Sequence, residues 1–223
     1  PDMRPALSAA APVALGYVTI GLPCGVMASQ AGLAWWQALL LSCTFYSGAG
    51  QFMMSSMALA GAPLASIVAS ITLVSSRQML YAAAFSPYFS QVGRPLAALF
   101  SATVTDESFG VNLERFASDG GWDAVSAVCV NLVSMASWTL SNTVGCAAGA
   151  VIAVPVAVMS FAMTAIFICL LVGQRWDSTT LVVVACSVVV VALMKLAGLG
   201  GAAVVVGAVA GVVAGMARGA LAR

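Results

Sequence analysis

Histidine is absent from these 223 residues, and charge is scarce: 7% of the chain against 62% hydrophobic residues. A soluble domain carries roughly a quarter charged residues, so this chain has too little charge to cover a water-facing surface. The net charge of +1 offers no electrostatic footprint for nucleic acid or for an acidic partner. Without imidazole there is no Cys–His or Ser–His pair, which excludes rhomboid-type chemistry. The six cysteines, Cys24, Cys43, Cys129, Cys146, Cys169 and Cys186, include no CxxC spacing, so a zinc site is not indicated. They sit within or beside apolar runs and read as small packing residues. An intramembrane aspartyl protease would need two acids within the spans, and only Asp106 lies near one. Nothing here points to a catalytic residue, a metal or a cofactor.

What the chain does have is long apolar runs. Between polar, Pro or Gly punctuation they give about seven helices, near residues 7–31, 35–60, 63–86, 123–143, 148–172, 179–197 and 200–217. About 20 apolar residues cross a bilayer as a helix, and the runs are continuous rather than alternating, which excludes a β-barrel. The expected fold is an all-α polytopic membrane protein, one transmembrane domain over residues 1–223 with the lipid bilayer as its solvent. Segment 88–122 carries Arg94, Asp106, Glu107, Glu114, Arg115 and Asp119 and suits an interfacial or re-entrant stretch. With seven spans, the distribution of Arg94, Arg115, Arg175, Arg218 and Arg223 against Arg4 and Lys195 places the C-terminus in the cytoplasm.

The second run is interrupted. Ser47-Gly48-Ala49-Gly50-Gln51 lies at its centre, and irregular backbone survives at membrane depth only where protein or a water-filled cavity surrounds it. Broken helices near the midplane are where secondary transporters hold their substrates. Pro23, between Gly21 and Gly25, predicts a kink or unwinding of the first span, since it removes a backbone hydrogen bond. Pro155 followed by Met159–Thr164 weakens the fifth span in the same way. Breaks in both halves suggest an inverted repeat, with halves 1–86 and 123–197. Gly21, Gly25 and Ser29, and again Gly207, Gly211 and Gly215, recur every four residues, a spacing that permits close helix approach. The first stripe reads as internal packing, and the second, on a terminal helix, as a surface for a partner.

Arg77 is the most expensive residue in the chain. It lies well inside the third span, where insertion costs about 3 kcal/mol, so it should face protein or water rather than lipid. Ser66, Ser70, Arg77 and Tyr81 share one helical face. Snorkelling to the interface is the bland alternative. The functional one is a fixed charge that binds a substrate carboxylate or pins carbonyls freed by a broken helix. Asn131, Ser134, Trp138 and Ser141 form a half-polar stripe on the fourth span, suited to interhelical hydrogen bonding or to pore lining. Met53, Met54 and Met57 follow the break and serve packing or an apolar ligand. Asp106 and Glu107 are the only adjacent carboxylates, and like charges side by side raise one another's pKa. Thr105-Asp106 also reads as a helix start.

These motifs together resemble the AzlC-like family, the large subunit of bacterial branched-chain amino acid exporters. Gly21-x-Pro23-x-Gly25 is similar to the family's first helix. Phe45-Tyr46-Ser47-Gly48-Ala49-Gly50-Gln51-Phe52 resembles its Phe-Ala-Gly-Ser/Ala-x-Gln-Phe signature. Arg77, Leu80, Tyr81 and Pro87 resemble its Arg-His-Leu-Leu-Tyr and following proline, with Gln78 where the family often has His and Ser75 where it often has Asn. Thr105-Asp106-Glu107-Ser108-Phe109 matches its Thr-Asp-Glu-x-Phe. The resemblance implies an ion-coupled exporter of Leu, Ile, Val and Met in the bacterial inner membrane, assembled with a small AzlD-like subunit of about four spans. The broken helices and the buried charge themselves point to a substrate site built from Gly21, Pro23, Gly25, Ser47, Gly48, Gly50, Gln51, Arg77 and Tyr81. With no histidine relay available, Asp106 and Glu107 are left to carry coupling. The alternative is a channel-like or structural membrane subunit without coupled transport.

Overall fold

A computed structural model of the chain describes residues 3–118, 120–151, 161, 165, 168, 172, 176–198 and 200–221. Among them every regular element is helical. The chain divides into two compact units, residues 1–166 and 167–223.

The first unit is organised on two long helices, α1 (Arg4–Gln30) and α9 (Ala124–Gly149). A bilayer removes the hydrophobic drive between helices, so association depends on close packing and interhelical hydrogen bonds. The glycines supply the first. A Cβ on Gly25 would fall against the carbonyl of Asn142 and within 2.5 Å of the Cys146 nitrogen, and one on Gly145 within 2.9 Å of Leu22 Cα. Gly21 rests on Ser141 in the same way. Serines supply the second, with Ser137 donating to the Ala14 carbonyl at 2.6 Å and Ser141 to that of Tyr17 at 3.0 Å. Of the two outcomes expected at Pro23, unwinding does not occur: α1 runs as one helix through Pro12 and Pro23, with Gly21 and Gly25 packed on α9 to either side. Asp123 opens α9 by accepting from the Ser126 amide at 2.8 Å. Those bonds hold its carboxyl below the usual carboxylate range. The cap therefore stabilises α9 at neutral pH and is lost as pH falls through that lowered value.

The second expected span exists as two pieces, α2 (Trp35–Thr44) and α3 (Gly48–Leu59), each too short to cross a bilayer alone. The third is α4 (Leu64–Ser75) followed, after a turn at Ser76, by α5 (Arg77–Ala84). Among its described residues, segment 88–122 contains no full span. After the single turn α6 (Ser86–Phe89) it folds as α7 (Arg94–Thr103) and α8 (Asp106–Ser118). Phe85, Phe100, Val104, Ala127 and Val128 tie these short helices to α9, with Phe85 edge-on to Phe100 at 4.9 Å.

The second unit pairs α10 (Ser178–Leu196), capped by Asp177, with α11 (Gly200–Leu221). Here the glycine stripe of the last helix is spent internally, since Cβ atoms on Gly207, Gly211 and Gly215 would collide with Val191, Ser187 and Val183 of α10. The expected partner surface is thus the seam of a helical hairpin, whose small residues let α10 and α11 approach closely.

Four helices are long and apolar enough to cross a membrane among the described residues: Arg4–Gln30, Leu64–Ala84, Ala124–Gly149 and Ser178–Leu196. Of the expected weak point of the fifth span, Pro155 and all of Met159–Thr164 but Phe161 lie outside the described residues, and so does the comparison of halves that depends on it.

Candidate functional site

The helix break sits three residues upstream of where the glycines suggested. Phe45, Tyr46 and Ser47 are the non-helical residues, and Gly48, Gly50 and Gln51 form the first turn of α3. Ser47 caps that turn by accepting from the Gly50 amide at 3.3 Å. The glycines are there for room rather than for unusual dihedrals. A Cβ on Gly50 would lie 2.6 Å from the Phe45 ring, and one on Gly48 would lie 3.1 Å from Trp138.

Carbonyls freed by the break are taken up by two amides. Gln51 Nε2 donates to the Phe45 carbonyl at 2.6 Å, and Gln78 Nε2 to that of Tyr46 at 3.0 Å. On its other side Gln51 Oε1 accepts from Asn142 Nδ2 at 2.6 Å, Trp138 Nε1 at 3.1 Å and Ser42 Oγ at 3.3 Å. Gln51 is 1% exposed, so all of this occurs out of contact with solvent, where each polar group must find a protein partner. Asn142 also reaches Cys24 Sγ at 3.6 Å, while its Oδ1 is buried without a hydrogen-bond partner. One glutamine thus joins the break to α2 and α9. Beside it, α2, α3 and α4 enclose an apolar groove of about 510 Å³ lined by Leu40, Leu41, Met54, Ile67 and Ser55, whose buried hydroxyl is unpartnered.

The adjacent carboxylates serve different helices. Asp106 opens α8 and faces α5, where its Oδ2 meets Arg77 Nη2 at 2.7 Å and its Oδ1 accepts from the Tyr81 hydroxyl. Glu107, one residue or about 100° further round the helix, faces α1 and accepts from the Tyr17 hydroxyl at 2.6 Å. That hydroxyl is also 2.7 Å from Thr105 Oγ1. The Tyr46 hydroxyl is buried near Tyr17, Thr105 and Glu107 without completing a hydrogen bond. The local fold explains the placement. Ser108 accepts from the Thr105 amide at 3.0 Å, which fixes the helix start, and two acids in the first turn suit the positive end of the helix dipole.

The sequence-derived residues therefore fall into three places. Ser47, Gly48, Gly50 and Gln51 lie at the break; Arg77, Tyr81 and Asp106 form the α5–α8 tie; Glu107, also on α8, turns away from that tie toward Tyr17 of α1. Gly21 and Gly25 belong to the α1–α9 seam, with Pro23 in the intervening turns. The Arg77 side chain is 32% exposed and engaged by a carboxylate rather than by freed carbonyls. Ser66, expected on its face, is exposed. Three residues of the polar stripe on α9 make interhelical hydrogen bonds: Asn131 Nδ2 donates to the Phe100 carbonyl and Thr103, Trp138 to Gln51 and Ser141 to the Tyr17 carbonyl, while the buried Ser134 hydroxyl has no partner. Tyr17, Thr105, Gln78 and Asn142 were not singled out as site residues. Their signal is faint in sequence, a lone polar atom on an apolar helix, which costs little notice and yet must be satisfied in hydrocarbon.

Comparison with known proteins places this arrangement among relatives. The model of the family described as AzlC protein matches residues 12–152, a stretch that contains every site residue named above. The chain is 31% identical over 166 residues to an "Uncharacterized membrane protein" of Helicobacter pylori strain J99, covering 74% of this chain and 72% of that one. It is 24% identical over 140 residues to "Inner membrane protein YgaZ" of Escherichia coli K12, covering 62% of this chain and 57% of that one. No solved structure matches.

Proposed function

Because the chain belongs to the AzlC family of membrane proteins, we propose that it exports branched-chain amino acids across the bacterial inner membrane, driven by an ion gradient. In this reading it is the large subunit of a two-component exporter and works with a small AzlD-like subunit of about four spans. The observation that carries it is the broken helix at Phe45–Ser47, whose carbonyls are held by Gln51 and Gln78 inside an otherwise apolar bundle. Non-helical backbone at membrane depth is a costly feature, and secondary transporters use it to hold substrates. Phe52, Met53 and Met57, with the apolar groove beside α3, supply surface for an aliphatic side chain. A polar side chain there would lose its water without finding partners, which favours Leu, Ile and Val.

Arg77 is the group suited to the substrate carboxylate, since a guanidinium offers a planar two-point match and stays charged when desolvated. Binding there exchanges the Asp106 carboxylate for that of the substrate, and Asp106 or Glu107 carries the coupling proton. Two experiments test the reading. Leucine efflux from preloaded cells should rise when the chain is expressed with its small partner, and no rise would refute export. Purified Arg77→Lys should stay folded but bind leucine about tenfold more weakly, a loss of about 1.4 kcal/mol. Wild-type affinity in that variant would remove the clamp.

A further inference from the structure

Between α1 and α8 lies a cleft of about 530 Å³, within the size range of small-molecule sites. Pro12, Val13, Ile20 and Val111 give it apolar walls, and its polar groups are the Tyr17 hydroxyl, Glu107 and Glu114. Among the described residues no cationic side chain lines it. Asp106 has both a guanidinium and a phenol as partners, whereas the partner of Glu107 is the Tyr17 hydroxyl. An ionised carboxylate accepts at about four lone-pair positions, so Glu107 keeps most of its capacity for a donor entering the cleft. The groups around it are Tyr17 from α1, Tyr46 from the break, Tyr81 from α5, and Asp106, already paired with Arg77, and Glu114 on α8 itself, and none of these carries a positive charge. Gly16 and Gly110, on opposite walls, leave open space where side chains would stand.

A half-buried anion with a hydroxyl neighbour, apolar walls and no counter-charge is the chemical complement of a primary ammonium and the carbon that bears it. We propose that this cleft holds the ammonium group of the transported molecule against Glu107, so that proton and substrate exclude one another at a single carboxylate. The inference rests on the export reading and deepens it. Protonated Glu107 cannot pair with an ammonium, and substrate can enter only once the proton has left. Alternation of the two on one group yields exchange without a separate coupling device.

The test uses isopentylamine, which has the amine and the aliphatic body but no carboxylate for Arg77. Purified protein in detergent should bind it by calorimetry at pH 8.5, and more weakly as the pH is lowered, because proton and ammonium compete for one carboxylate. Glu107→Gln should abolish binding and its pH dependence. Gly110→Leu fills the cleft where a Cβ meets nothing within 4 Å, so it should abolish amine binding without lowering the melting temperature. It stands as the deciding variant if Glu107→Gln does not fold. Wild-type amine binding by either folded variant, or leucine binding with no amine binding at any pH, would overturn the proposal. Leucine export without amine binding would leave the export reading intact and remove only the cleft. Amine binding needs no flux and decides the cleft even if export is absent.

Discussion

Gly25→Ala, the addition of one methyl group, is expected to be among the most damaging changes in the protein. Its Cβ would be driven onto the Asn142 carbonyl and to 2.5 Å from the Cys146 nitrogen, and both are backbone atoms that no rotamer change can move aside. Overpacking of a tight interior costs about 1–3 kcal/mol, and a backbone collision belongs at the upper end or beyond. The α1–α9 seam must open, so the melting temperature in detergent should fall by on the order of 10 °C. Gly16→Ala is the matched control on the same helix. A Cβ there meets nothing within 4 Å, and the variant should melt with the wild type or slightly above it. Equal melting of Gly25→Ala and Gly16→Ala would show that the two helices do not pack by these glycines.

Gln51→Leu should abolish transport and destabilise the fold together. The substitution keeps approximate volume but removes the acceptor of Asn142, Trp138 and Ser42 and the donor to the Phe45 carbonyl, all within a buried site. Each group left unsatisfied costs about 1–3 kcal/mol, so a total loss of several kcal/mol is expected even if water enters to replace part of it. Gln51→Glu separates the two roles. It preserves the acceptor toward Asn142 and Trp138 but turns the donor toward Phe45 into a second acceptor, so α3 should lose its tie to the break. A folded Gln51→Leu variant with wild-type leucine flux would show that this hub is dispensable to transport.

Apolar runs made the membrane class and most helices readable, because bilayer insertion imposes length and composition on a segment regardless of what it later packs against. The position of the break was readable only to within a few residues. Glycine signals both a broken helix and a close contact, and at Gly48 and Gly50 the contact, with Trp138 and Phe45, was the operative one. The same ambiguity misdirected the stripe at Gly207, Gly211 and Gly215, where a residue spacing identifies a seam but not its occupant. Pro23 did not unwind α1, which stays helical where Gly21 and Gly25 on either side of it pack against α9. Asp106 and Glu107 were legible as a pair. Their division of labour was not, since it depends on which helices stand to either side of α8. Arg77 was legible as a charge needing company, and the company proved to be Asp106 rather than freed carbonyls.

The most direct test of the account is labelled leucine flux in proteoliposomes holding the chain and its small partner, measured with and without an imposed pH gradient. Gradient-driven accumulation of Leu, Ile and Val well above that of Ser or Asn, and absent from protein-free vesicles, is the expected result. Flux equal to that of empty vesicles would contradict the transport reading. Flux that dissipates the substrate gradient but ignores the pH gradient would contradict coupled export and assign the chain to the channel-like alternative.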